Sequence, residues 1–304
     1  MPGDGVRYAV GIDVGVTNIK SACIAEDGEV LSRGMTPTGA DDPEWPGRVA
    51  RLVERIAGER GGPPTWAGVA APGIARPDGR SIGWMEGRLD QVEGLDWGEF
   101  LPLGLRVPVL NDAQAALLGE AWRGAAAGAR DAALLTLGTG VGGAVLSDGR
   151  LLKGKVGRAG HLGHICLDVD GTPDFVGTPG SLENAVGNTT VRERTGGQFA
   201  TTHELVAAHL AGDPDATTAW LRSIRALACA VASFINVLDP EVVVIGGGIA
   251  AAGPALFGPL ERHLDALEWR PHGHRVLVRP ALLGEFAGAL GAAWNARQEG
   301  EGSE

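Results

Sequence analysis

The chain has 304 residues, 44% of them apolar, enough to build two domains with separate cores. A formal net charge of −11 argues against a nucleic-acid partner, whose phosphates select basic surfaces, but leaves room for a nucleotide, which needs only local donors. No basic and apolar leader opens the sequence and no run of about 18 apolar residues interrupts it, so no signal peptide and no membrane span are expected and a cytoplasmic protein follows.

The first predicted element is a hairpin. Ala9–Gly34 reads as strand, glycine-containing loop, strand, Asp27-Gly28 turn and strand, the Asp-Gly pair being a strong tight-turn signal. From Asp42 to Arg60, Val49, Leu52, Val53 and Ile56 fall at a helical period that ends at Gly61-Gly62-Pro63-Pro64. Trp66–Ala71 is a short buried strand stopped by Pro72-Gly73, and residues 78–99 form a loop in which Trp84 and Trp97 pack over an edge. Val107–Leu110 is another strand, which delivers Asn111-Asp112 to its end, and Ala113–Gly124 has helix-forming composition. Asn or Asp at that point is equally a helix N-cap or a ligand-facing group, since ligands bind at strand ends in open α/β sheets.

Ala132–Gly154 then repeats the first hairpin, with Asp148-Gly149 as its turn. Such a repeat suggests two related lobes, each offering a backbone loop to a shared ligand. Its loop, Gly138–Gly143, satisfies GxGxxG, but a dinucleotide fingerprint requires a helix at the loop and an acidic residue about 20 positions on, whereas Ala144-Val145-Leu146 continues as strand. By itself the loop reads as a plain hairpin. Beside its twin, which carries Asp13 and Thr17, it reads as a phosphate cradle, because glycines let several N–H groups converge on an anion.

Gly157–Asn188 is the most polar and least regular stretch, followed by helical patterns over Thr202–Leu210 and Thr217–Leu238. Val242–Ile245 reads as a buried parallel strand running into Gly246-Gly247-Gly248, either a floor for a base and ribose or a close strand-to-helix packing. A helix over Pro254–Leu267, a strand over Val276–Arg279 and a small-residue helix over Ala287–Ala296 complete the pattern, with disorder expected after Gln298. Cys23, Cys166 and Cys229 are isolated from one another and read as reduced, buried thiols.

Taken in order, Asp13-Val14-Gly15-Val16-Thr17, Asn111-Asp112, Leu137–Gly143, Gly246–Gly248 and Gly288-Ala289-Leu290-Gly291-Ala292-Ala293 make the chain resemble the ROK family (repressor, open reading frame, kinase) over nearly its whole length. The resemblance implies an α/β, two-lobed actin-like ATPase (ribonuclease H-like) fold with duplicated β-hairpin phosphate loops. One domain would cover residues 1–111, completed by the C-terminal helix 287–298, and the other 112–286. It implies a glucokinase-like enzyme that phosphorylates a hexose hydroxyl with ATP and Mg²⁺, working as a homodimer. Carried over residue by residue, Asp112 is the general base and Asn111, His161, His164 and Glu183 face the sugar. Asp13 faces Mg²⁺ or its waters, Gly15, Thr17, Gly138, Thr139, Gly140 and Gly142 face the phosphates, and Gly246, Gly247 and Gly248 lie near adenosine. The winged DNA-binding domain of the family's repressors would precede the first loop, where only about a dozen residues stand, so the kinase branch is expected.

Two departures from the family pattern stand out. The family's segment reads ExGH, nine residues, CxCGxxGCxE, with the histidine and three cysteines holding a structural zinc. Here His161-Leu162-Gly163-His164 takes the first place, Asp174, Val176 and Ser181 take the cysteine positions, and Gly177, Gly180 and Glu183 are kept. A tetrahedral zinc needs four donors, so no zinc is expected, and hydrogen bonds with Pro173 and Pro179 should hold the loop instead. His161 replaces a glutamate that accepts from sugar hydroxyls, and an imidazole with one acceptor and one donor should prefer a different hydroxyl pattern. Two further readings remain open: a sugar-responsive binding protein without turnover, and a kinase with polyphosphate as donor.

Overall fold

The computed structural model describes residues 7–87 and 89–301. Its strands are β1 (Tyr8–Val14), β2 (Asn18–Ala25), β3 (Val30–Pro37), β4 (Trp66–Ala71), β5 (Ile74–Ala75), β6 (Ile82–Trp84), β7 (Val109–Asn111), β8 (Ala132–Leu137), β9 (Val141–Ser147), β10 (Arg150–Leu151), β11 (Val242–Gly246) and β12 (Leu277–Pro280). The helices are α1 (Trp45–Arg60), α2 (Trp97–Phe100), α3 (Asp112–Arg123), α4 (Leu182–Val186), α5 (Val191–Arg194), α6 (Thr202–Leu210), α7 (Pro214–Leu238), α8 (Pro254–Leu267) and α9 (Ala287–Glu301). They form two compact units, the first from residues up to 127, 153–159 and from 283 onwards, the second from 128–152 and 160–282.

The internal repeat seen in the sequence is a repeat of whole sheets. The first unit has strand order β3-β2-β1-β4-β7 and the second β10-β9-β8-β11-β12. In each, the leading strand pairs antiparallel with its hairpin partner and parallel with the strand that follows a crossover. The second hairpin closes on Asp148 and Gly149, both at positive φ (51° and 74°), as a two-residue turn matched to strand twist requires.

In the first unit, Trp45, Val49, Leu52 and Val53 of α1 cover one face of the sheet beside Val10, Ile12 and Val69. The other face is covered by α9 at unusually close range. A Cβ on Gly11 of β1 or Gly68 of β4 would collide with the α9 backbone, and one on Gly291 of α9 with α3, so the small-residue run Gly288–Ala293 is what lets this helix lie flat on the strands. Helix α3 packs on α9 within this unit, so the boundary expected at Asn111 falls instead after Ala127. The final helix also runs to Glu301, past the expected disorder after Gln298, with an Arg297–Glu301 ion pair at 3.0 Å in its last turn.

In the second unit, Trp220, Ile224, Leu227, Val231 and Ile235 of α7 meet Leu256, Leu260 and Leu264 of α8 and the buried strand β11. Helix α7 is long and apolar enough to cross a membrane by length and composition, but this apolar stripe lies in the core of the unit. It starts at Pro214, earlier than expected, because Asp213 caps it by accepting from Ala216 N–H at 2.8 Å. The thiols differ in exposure: Cys23 is buried, Cys229 half-buried and Cys166 exposed, which corrects the expectation of three buried ones.

Candidate active site

In the first unit β1, β4 and β7 run parallel, and the register places Asp13 level with Ala70 and Ala71 level with Asn111 at their C-terminal ends. Asn111 begins α3 as a capping box: its Oδ1 accepts from Ala113 N–H (3.0 Å) and Gln114 N–H (3.4 Å), and Gln114 Oε1 accepts from Asn111 N–H. Its Nδ2 donates to Gly73 O at 2.9 Å, so the cap also ties the helix to the turn after β4. Asp112 follows in the first helical turn, exposed, where the helix dipole favours a carboxylate.

Asp13 is the other carboxyl here. Burial pushes it from 3.8 up to about 7, the charge of Asp112 raises it further, and Lys20, its cross-strand partner in β2, pulls the other way. Against it lies the start of α9, where a Cβ on Gly288 would come within 2.7 Å of Asp13 Oδ2, so glycine there leaves the carboxylate its place. Two neighbouring carboxylates suit a hydrated divalent cation, which needs one or two such ligands.

The two glycine loops are alike in their wiring. In the first, Gly15 N–H donates back to Asn18 O (3.0 Å), while buried Thr38 donates its hydroxyl to Gly15 O (2.6 Å) and its N–H to Thr17 O (2.9 Å). In the second, Gly138 N–H donates to Gly140 O (2.9 Å), and the carbonyls of Gly138 and Thr139 accept from Asn188 N–H (2.9 Å) and Thr189 N–H (3.0 Å). Among the described residues, this leaves the N–H groups of Val16 and Thr17 in one loop, and of Thr139 and Gly140 in the other, without a protein acceptor. Paired free amides on a tight turn are a nest for an anion.

Beside the second loop opens a cavity of about 620 Å³. Gly138, Thr139 and Asn188 line one end, Val206, Ala207 and Leu210 of α6 one wall, and Ile249, Ala251 and Ala252 another. Of the triple glycine only Gly248 reaches it. Gly247 (φ 86°) has no room for a Cβ against Leu137, and Gly246 closes β11 against Ala281, so both serve strand packing. Gly142 lies inside β9 opposite Thr136. Sequence reading missed Asn188, Thr38 and the role of α6 as a wall, where Leu210 is an exposed apolar side chain.

The segment that departs from the family pattern is held by hydrogen bonds. His161 precedes a 3₁₀ turn, Leu162–His164, and is half-buried. His164 Nδ1 meets Asp174 Oδ2 at 2.8 Å, and Asp174 Oδ1 accepts from Val176 N–H (3.1 Å) and Thr178 N–H (2.9 Å). Burial pushes the Asp174 carboxyl up, but hydrogen bonds from His164, Thr178 and Ser181 outweigh it and hold it below the usual carboxylate range. Pro173 and Pro179 face each other as a β-bridge. The set His164, Asp174, Val176 and Ser181 lacks the four donors of a tetrahedral zinc, and the residues at two of the former cysteine positions bond to each other. Two positions beyond Ser181, buried Glu183 accepts from Val141 N–H of the second loop through Oε2 at 2.9 Å.

The model of the ROK family matches residues 9–299. The glucokinase of Halalkalibacterium halodurans is 32% identical over 323 residues, covering 96% of each chain, and the N-acetylmannosamine kinase of Vibrio cholerae is 30% identical over 300 residues, covering 94% of this chain and 98% of that one. Among solved structures, a ROK hexokinase from Thermus thermophilus superposes with a TM-score of 0.84 at 31% identity, over 97% of this chain and 99% of that one. A ROK family glucokinase from Streptomyces griseus in complex with glucose and AMPPNP gives 0.76 at 26%, over 96% and 99%. The architecture is the actin-like ATPase fold of these structures.

Proposed function

The chain belongs to the ROK family, and from that premise we propose that it is a sugar kinase that transfers the γ-phosphoryl group of ATP to a hexose hydroxyl. The observation that carries the choice of donor is the cavity beside the second loop. A polyphosphate chain needs charge along its length and no apolar slot, whereas walls of Val206, Leu210, Ile249 and Ala252 next to unpaired amides suit a flat base followed by phosphates.

Phosphoryl transfer is mostly positioning and charge neutralisation. The amides of Val16, Thr17, Thr139 and Gly140 bind phosphate oxygens; Mg²⁺, which would sit by Asp13 directly or through water, neutralises charge on the phosphates when bound. Asp112, at the first turn of α3, accepts the proton of the attacking hydroxyl. His161, His164 and Glu183 orient sugar hydroxyls, as does the second Nδ2 hydrogen of Asn111, whose other polar atoms are engaged. The acceptor is an aldohexose such as glucose or an N-acetylhexosamine, the two classes named among its relatives, with phosphorylation at the 6-hydroxyl. The segment around Asp174 works without zinc, and the protein acts as a homodimer in the cytoplasm.

A coupled assay with ATP or polyphosphate against glucose, mannose, N-acetylglucosamine and N-acetylmannosamine tests this reading. Asp112→Asn should lower turnover by about 10²–10⁴-fold while calorimetric sugar binding persists. Turnover near the wild-type value would remove Asp112 as the base, and turnover with polyphosphate alone would overturn the choice of donor.

A further inference from the structure

Glu183 has two carboxylate oxygens with different surroundings. Oε2 is taken by Val141 N–H at 2.9 Å, while Oε1 makes no hydrogen bond among the described residues. We propose that Glu183 is a positioning residue for the second glycine loop as well as a sugar ligand, and that through it sugar occupancy sets how firmly the loop holds nucleotide phosphates. This rests on the sugar-kinase reading above.

The loop is built onto the segment that carries Glu183. Val141 N–H follows directly after the two free amides of Thr139 and Gly140, so a charged acceptor on it fixes the peptide plane that orients them. The carbonyls behind those amides are held by Asn188 and Thr189, just past the end of α4, and Gly187 N–H returns to Glu183 O at 2.7 Å. One short stretch, residues 183–189, therefore holds the loop through four hydrogen bonds, two of them from side chains: the Thr189 hydroxyl donates to Thr139 O at 3.1 Å, and the Glu183 carboxylate supplies the one charged acceptor among them. Gly140 records the same closeness. A Cβ there would overlap the Glu183 carboxylate, and the three nearest atoms to it all belong to Glu183. A hydroxyl bound at Oε1 orders the carboxylate and so the loop, and by linkage nucleotide at the loop strengthens sugar binding equally.

The test is binding of the non-hydrolysable analogue AMPPNP in the absence of sugar, by calorimetry on the full chain. A residue that only touched sugar would leave this affinity unchanged. Glu183→Ala should weaken it about tenfold or more, whereas Glu183→Gln, whose amide oxygen still accepts from Val141 N–H, should stay within about threefold of wild type while raising the sugar KM. Gly140→Ala should weaken AMPPNP as Glu183→Ala does, and the double variant should bind no worse than Glu183→Ala alone, because the clash partner is gone. Wild-type AMPPNP affinity in Glu183→Ala, or full additivity in the double variant, overturns the proposal while leaving the kinase reading intact. A wild-type chain that binds no AMPPNP and phosphorylates no sugar overturns both, and the pair Glu183→Gln and Gly140→Ala decides the matter if Glu183→Ala fails to fold.

Discussion

Asp13 makes a stability prediction that is independent of turnover. Its carboxyl is pushed from 3.8 to about 7, so the folded chain binds that proton more tightly than the unfolded one. The stabilisation is complete below pH about 4 and is lost as pH rises through about 7. Between pH 5 and pH 8 the linkage relation assigns this one group a loss on the order of 2–3 kcal/mol, relative to a residue that does not titrate. Asp13→Asn keeps the shape and removes the titration. In chelator-treated, ligand-free protein, the melting temperature of Asp13→Asn should therefore gain on wild type by several degrees more at pH 8 than at pH 5. Asp112→Asn should give a smaller gain of the same sign, since the Asp112 charge is the second cause of the shift. Differential scanning calorimetry across that range is the assay. If the two melting curves keep a constant separation from pH 5 to pH 8, Asp13 is ionised throughout and the electrostatic account of the first unit is wrong.

Asp174→Ala removes the acceptor for His164, Val176 and Thr178 and should cost roughly 1–3 kcal/mol, read as a lower melting temperature with earlier proteolysis in residues 165–181. Because the Asp174 pKa is depressed, its contribution is full above about 4 and fades only as pH falls below that, so the deficit should shrink in acid. Elemental analysis of chelator-washed wild type should find no stoichiometric zinc; about one zinc per chain would mean that the segment is organised by metal after all. His161→Glu should raise kcat/KM for glucose relative to mannose, N-acetylglucosamine and N-acetylmannosamine by about ten- to a hundredfold, the range of one mismatched buried hydrogen bond, and unmoved ratios would place His161 outside the sugar site.

What could be read from sequence was whatever repeats or has local grammar. The paired hairpins, their Asp-Gly turns and Asn111-Asp112 before a helix are short-range patterns, and each appears in the structure at nearly the expected residues. Contacts between distant positions left no such trace. The bond from Val141 to Glu183 spans 42 residues, and Thr38 reaches back 23 to pin Gly15, yet neither residue type at its position announces a partner. Helix α3 could not be assigned to a unit from its own residues, because what decides it is the close fit to α9 far along the chain. The triple glycine looked like one ligand feature and divides in space, with two members serving strand packing and one the cavity.

The cover that α9 gives to β1 and β4 also orders events during synthesis. The strands it lies on leave the ribosome well before the helix, so the first sheet must wait with the Gly11 and Gly68 face bare until α9 has emerged. Residues 160–282 of the second unit, continuous in the chain, meet no such delay once they have emerged with the strands before them. A nascent chain of this protein therefore carries an uncovered apolar sheet until α9 follows it, and any frameshift ahead of Ala287 would make that exposure permanent.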